Sequence, residues 1–88
     1  MKVRNLEYFE KLIELKNFSS VADYFNVGQP AISMGIRRLE EDTGHELIIH
    51  NSKHNIVILT PAGMILHKHA KVLINQLTEF NNKVSQEL

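Results

Sequence analysis

Residues 28–39, Gly-Gln-Pro-Ala-Ile-Ser-Met-Gly-Ile-Arg-Arg-Leu, constrain the fold more tightly than any other stretch of this chain. Proline early in a helical pattern costs no hydrogen bond, because the first amides of a helix have no intrahelical partner. At 100° per residue Ile32, Ile36 and Leu39 share one side, flanked by Ala31 and Gly35, which are small enough to let another helix come close. Opposite lie Pro30, Ser33, Met34, Arg37 and Arg38, with Gln29 at the N-terminal edge. A second short helical pattern stands just before this one, across a tight connection. That pairing is how a helix-turn-helix presents a reading helix to the DNA major groove.

The outer face has the chemistry for base reading. Gln29 can pair bidentately with adenine, Ser33 can donate or accept, and Pro30 and Met34 can touch a thymine methyl. Arg37, further along, suits a phosphate, and Arg38 beside it is a second phosphate candidate. The competing view is that every amphipathic helix has a polar face, so the flanking segments must decide.

Those segments favour a winged arrangement. Apolar residues at Leu6, Phe9, Leu12 and Ile13 predict a first helix from Asn5, its N-cap, to Lys16. Ser19 or Ser20 caps a short second helix to about Phe25, with Val21, Ala22 and Phe25 inward, and Asn26-Val27-Gly28 makes the turn. The third helix runs from near Gln29 to Gly44. Residues 47–50 and 56–59 are two β-rich runs around a polar loop at 51–55, a small hairpin or wing comprising His50, Asn51, Ser52, Lys53 and His54 at its tip. Thr60-Pro61 opens a last helix running to the C-terminus. The expected fold is mainly α, a winged helix-turn-helix over residues 1–59 followed by a long helix over residues 60–88.

Size and composition fit one small domain of 88 residues, with ordinary apolar and charged fractions of 43% and 23%. The absence of cysteine excludes disulfides, thiolate catalysis and cysteine-based zinc sites. No stretch resembles a signal peptide or a membrane span, which places the expected location in the cytoplasm, with no membrane partner. Ten basic and ten acidic residues sum to zero, whereas a nucleic-acid-binding domain is usually basic. The distribution softens this, because residues 28–39 carry +2 while Glu40, Glu41, Asp42 and Glu46 concentrate −4 just beyond. That acidic cluster reads as solvated surface. Ser33 has no His and Asp in a recognisable arrangement and no Gly-rich phosphate loop exists, so no catalytic residue and no enzyme activity is expected. His67 and His69 point about 200° apart on a helix, and with no other ligand pattern neither metal nor cofactor is expected.

Taken together, Leu6-Glu7-Tyr8-Phe9, Asn17-Phe18-Ser19 with Ala22, and Gln29-Pro30-Ala31-Ile32-Ser33 form one spaced set. It continues through Ile36-Arg37-Arg38-Leu39-Glu40, Gly44 with Leu47, and Leu59-Thr60-Pro61-Ala62-Gly63. This set resembles the N-terminal winged helix-turn-helix domain of LysR-type transcriptional regulators, in one register from Val3 to at least Ala70. The resemblance implies a dimeric transcription factor whose third helix enters the major groove and whose wing meets the minor groove. It carries base contacts to Gln29, Pro30 and Ser33, a phosphate contact to Arg37 and, more loosely, to Lys53, with Ser19 a further phosphate candidate. Gly28, Met34 and His50 depart from the family pattern, where serine, a polar or basic residue, and arginine are usual.

In the last segment Leu66, Ala70, Leu73, Leu77, Phe80 and Val84 keep a heptad spacing, a seam for pairing with a second copy. Residues 61–88 as helix would span ~42 Å, longer than the body available to cover them, so Met64 and Ile65 are expected to pack on the domain and Leu73 to Val84 on another chain. In the resembling family this is an antiparallel linker helix, which implies an operator with approximate dyad symmetry. Family members continue into a larger effector-binding domain, so any small-molecule effector would bind outside these residues. The chain looks like an excised DNA-binding part, with a free-standing small regulator as the alternative. The functional alternative is a winged-helix interaction or oligomerisation module without DNA binding, supported by the neutral charge.

Overall fold

The computed structural model describes residues 1–51, 53, 54 and 56–88, and the wing positions Ser52 and Asn55 lie outside the described residues. Its elements follow in the order α1 (Val3–Leu15), α2 (Phe18–Phe25), α3 (Gln29–Thr43), β1 (Ile48–Asn51), β2 (Ile56–Leu59) and α4 (Pro61–Glu87). The architecture is the expected winged helix-turn-helix with a long final helix.

The apolar stripe of α1 is what the rest is built on. Leu6, Phe9 and Leu12 are fully buried, each contributing roughly 1.5–3 kcal/mol by leaving water. They meet Val21 and Ala22 of α2, Ile32, Ile36 and Leu39 of α3, and Leu66 of α4 in one core. The helix begins three residues earlier than the sequence suggests, cap to cap. Lys2 holds the N-cap position without a side-chain bond. Asn5 is instead buried inside the helix, facing α3. There Gly35 is indispensable to the packing, since a Cβ on it would sit 2.7 Å from a ring carbon of Tyr8 and 2.8 Å from Oδ1 of Asn5. Ala31, the other small residue of that face, is exposed and plays no such part.

Caps explain where the helices stop. Asn17, and neither serine, caps α2, its Oδ1 accepting from the Ser20 amide at 2.9 Å. Asn26 ends α2 in the left-handed conformation at φ 56°, and Gly44 ends α3 at φ 71°. Gly28, by contrast, is extended at φ −78°, so the turn uses the freedom of Asn26 alone.

β1 and β2 pair antiparallel, Ile48 with Leu59 and Asn51 with Ile56 at the two ends. Asn51, expected in the loop, therefore belongs to the ladder, while Leu47 falls just outside it and is buried. The base of this hairpin is tied to its neighbours by polar groups. Glu40 of α3 accepts from the Leu47 amide at 2.8 Å and, at 3.5 Å, from Ile48. This corrects the view of Glu40 as part of a solvated acidic surface, because it is half-buried and occupied. Glu40→Ala should cost about 1–3 kcal/mol in urea unfolding by stranding the Leu47 amide, and Glu40→Gln much less. A loss below about 0.5 kcal/mol would show that water replaces the carboxylate.

α4 starts against the same point. Thr60 caps it, its hydroxyl accepting from Gly63 N–H and donating to the Glu46 carbonyl at 2.6 Å. Its amide donates to the Leu47 carbonyl at 3.0 Å. Gly63 passes so near that carbonyl that a Cβ would lie only 2.1 Å from it. Beyond this joint α4 runs out along the 48 Å long axis of the molecule.

Candidate nucleic-acid interface

With Ile32, Ile36 and Leu39 locked inward, α3 turns Gln29, Pro30, Ser33, Met34, Arg37 and Arg38 to solvent. Met34 keeps 48% of its surface exposed, a large apolar side chain held in water by the geometry of the helix. In the first turn of α3 Pro30 has no N–H and the Ala31 amide donates to the Gly28 carbonyl at 3.1 Å, so it is the positive dipole end of the helix that favours an anion there.

The two arginines part company. Arg37 lines a shallow depression of about 280 Å³ together with Gln29, Ser33, Ile36 and Glu40 of α3, Phe18 of α2, and Ile48 and His50 of β1. Arg38 lies on the opposite flank, in a hollow shared with Met1, Lys2, Asn5, Glu41 and Asp42. The N-terminal amine approaches Asp42 there, at 3.6 Å. The structure thus brings Gln29, Ser33 and Arg37 together with His50 and leaves Arg38 apart from them.

Wing and helix meet through an aromatic contact. The His50 ring lies 4.4 Å from the Phe18 ring, centroid to centroid, tilted by 41°. Asn51 Oδ1 accepts from the His54 amide at 3.3 Å, which shapes the turn that carries Lys53 and His54, both exposed. Ser19 is exposed in the first turn of α2. Phe18 and Glu40 belong to this site although sequence reasoning gave them no role in it. Each joins elements distant in sequence, and nothing in the local periodicity marks such a residue. Arg4 is a third case, a structural one: its Nε donates to the Tyr8 hydroxyl at 3.0 Å and its guanidinium lies 5.3 Å from the Phe25 ring centroid, clasping α1 to α2.

On α4 the expected seam divides. Leu66 and Ala70 are buried within the chain's own core, and Leu73 and Leu77 are half-buried against it. Of that seam only Phe80 and Val84 stand exposed, at 63% and 39%. Met64 and Ile65, expected to pack on the domain, are exposed instead, and so is Val72. The exposed apolar side chains therefore leave the expected line at Ile65 and Val72 and keep to it at Phe80 and Val84. Ile65 and Val72 line a groove of about 650 Å³, also bordered by Thr43, His45, Leu47, Pro61 and His69. His67 points elsewhere, its Nδ1 2.9 Å from a carboxylate oxygen of Glu10 on α1. Among the described residues no helix is long and apolar enough to cross a membrane.

Comparison with known proteins agrees with this geometry. The family model for "Bacterial regulatory helix-turn-helix protein, lysR family" matches residues 3–64. The malolactic fermentation system transcriptional activator of Lactococcus lactis is 39% identical over 77 residues, covering 88% of this chain and 26% of that protein. The DNA-binding transcriptional dual regulator OxyR of Escherichia coli is 34% identical over 87 residues, covering 99% and 28%. Among solved structures, Vibrio fischeri DarR in complex with DNA superposes with a TM-score of 0.77 at 37% identity, covering 98% of this chain and 29% of that one. The DNA complex of the CbnR DNA-binding domain gives 0.79 at 27% identity, covering 98% and 97%. The chain spans little more than a quarter of the length of these two relatives, both named as transcriptional regulators. From the family match and from a fold shared with domains solved on DNA, the chain belongs to the LysR family of bacterial helix-turn-helix regulators and carries that family's DNA-binding domain.

Proposed function

We propose that this domain binds double-stranded DNA sequence-specifically, as one half of a homodimer that regulates transcription in the cytoplasm. The observation that carries this is the depression in which Gln29, Ser33 and Arg37 converge with His50 on an open flank of a helix whose inner face is fixed to the core. α3 enters the major groove, Gln29, Pro30, Ser33 and Met34 meet base edges, and Arg37 meets a backbone phosphate. Lys53 and the wing reach the neighbouring minor groove or its backbone. Arg38, on the other flank of α3, faces the opposite groove wall, and Ser19 at the start of α2 faces the same phosphate row as Arg37.

The dimer follows from α4. Two copies laid antiparallel and centred between Val72 and Leu73 set Phe80 of one against Ile65 of its partner and Val84 against Pro61. That single register fills both apolar grooves. It gives the pair a twofold axis and the operator an approximate dyad. An effector-binding domain, as in longer family members, lies outside these residues.

Selection of bound sequences from a random duplex pool tests the proposal. Arg37→Ala should weaken binding to every sequence and flatten the salt slope by about 0.9, one phosphate neutralised. Ser33→Ala should instead change the preferred base at one position by roughly 1–3 kcal/mol. Binding that ignores salt, or no binding to any duplex, would favour the interaction-module alternative to which the zero net charge points.

A further inference from the structure

We infer that His50 is a proton-dependent phosphate ligand, which makes the DNA affinity of this domain fall as pH rises through the imidazole range. The inference rests on the DNA-binding role proposed above. His50 sits on β1 with its ring held against Phe18 of α2 at 4.4 Å, so its orientation is set by a packed neighbour. It borders the same depression as Arg37, Gln29 and Ser33. Among those side chains imidazole alone changes charge between about pH 5 and 8.

The charged groups facing that depression oppose one another. From α3 it is lined by the cationic Arg37 and the anionic Glu40. From α2 comes uncharged Phe18, and from β2 the partner across the ladder is uncharged Val57. Lys53 and His54 lie further out on the wing turn. Glu40 is held toward the base of the hairpin, one oxygen accepting from the Leu47 amide at 2.8 Å. A phosphate seated between Arg37 and His50 adds a negative charge beside the ring and accepts a hydrogen bond that is stronger from imidazolium than from imidazole. The ring therefore holds its proton more tightly in the complex than in free protein. The gain in affinity is complete on the acid side and is lost as pH rises through the titration of the bound ring.

The test measures affinity of the whole chain for a selected duplex by fluorescence anisotropy, from about pH 6 to about pH 8 at constant ionic strength. The wild-type protein should lose roughly three- to tenfold across that range. H50R should bind tightly with a flat profile, H50Q should be flat at the wild type's alkaline level, and H67Q, at the α1–α4 contact away from the interface, should keep the wild-type slope. His50 is exposed, so none of these is expected to unfold, and circular dichroism checks that. A second readout is the His50 ring-proton NMR titration, whose midpoint should move upward when duplex is added. A flat wild-type profile, a slope that survives in H50Q, or an unmoved midpoint overturns the inference while leaving DNA binding intact. Failure to bind at every pH overturns the DNA-binding role itself.

Discussion

Gly63→Ala should destabilise the domain by about 3 kcal/mol, among the larger effects available to a single added methyl group. The methyl would meet not a side chain that can swing away but the Leu47 carbonyl oxygen, 2.1 Å from the ideal Cβ position. Relief requires α4 to lift from the base of the wing. That stretches the 3.0 Å bond from the Thr60 amide to the same carbonyl and strips cover from Leu47, which is only 1% exposed. For a domain of this size the loss corresponds to a fall in Tm of roughly 15 °C. Gly28→Ala is the matched control, because a Cβ there meets nothing nearer than Pro30 Cδ at 3.4 Å and its φ of −78° suits any residue. It should stay within about 1 kcal/mol of wild type, since the reduced entropy of the unfolded chain is offset by alanine being a poorer N-cap for α3. Thermal unfolding that puts the two variants within about 2 °C of each other would mean that α4 does not approach the wing so closely.

Phe80→Asp should convert a dimer to a monomer in sedimentation velocity and lower affinity for a two-half-site operator by roughly 10²–10⁴, while single half-site binding is retained. The size of the effect comes from linkage: once one reading helix is bound, the second is delivered at high effective concentration only if the seam holds. Phe80 suits this test because it is 63% exposed and stands outside the core of its own chain. Leu77→Asp would confuse the outcome, since Leu77 also packs on the core and its loss costs folding as well as pairing. A Phe80→Asp protein that still sediments as a dimer would place the interface elsewhere.

Much of this was legible in the residues themselves. Ile32, Ile36 and Leu39 announced the inward face of α3, Gly44 its end, and Thr60-Pro61 the start of α4, because each of those signals is local. The misreadings fall where tertiary packing outweighs a local rule. Asn5 has the chemistry of a cap, yet the absence of a Cβ on Gly35 opens a place for it between two helices. Glu40 looked like one of four solvated acids until the chain folded the Leu47 amide onto it. The heptad of α4 was visible, but heptad spacing is the same whether a stripe packs on its own domain or on a partner. Leu66 and Ala70 obey the first use, while Phe80 and Val84 are left exposed and available for the second. Likewise, no periodicity links Phe18 to His50, thirty-odd residues apart, though their contact joins the wing to α2.

The joint at Leu47 has a mechanical consequence. α3 reaches it through Glu40, the hairpin through its own backbone, and α4 through Thr60 and Gly63, so the reader and the long helix cannot turn independently. α4 is in effect a stiff lever, ~40 Å from end to end, with the reading helix clamped at its base. In the proposed dimer, a ~5° change in the angle at which two such levers cross moves a point at lever's length by ~3.5 Å, about one base step along a DNA strand. Torque applied at the far end of α4 would therefore be felt at the operator as a change in half-site spacing, with no rearrangement inside either domain.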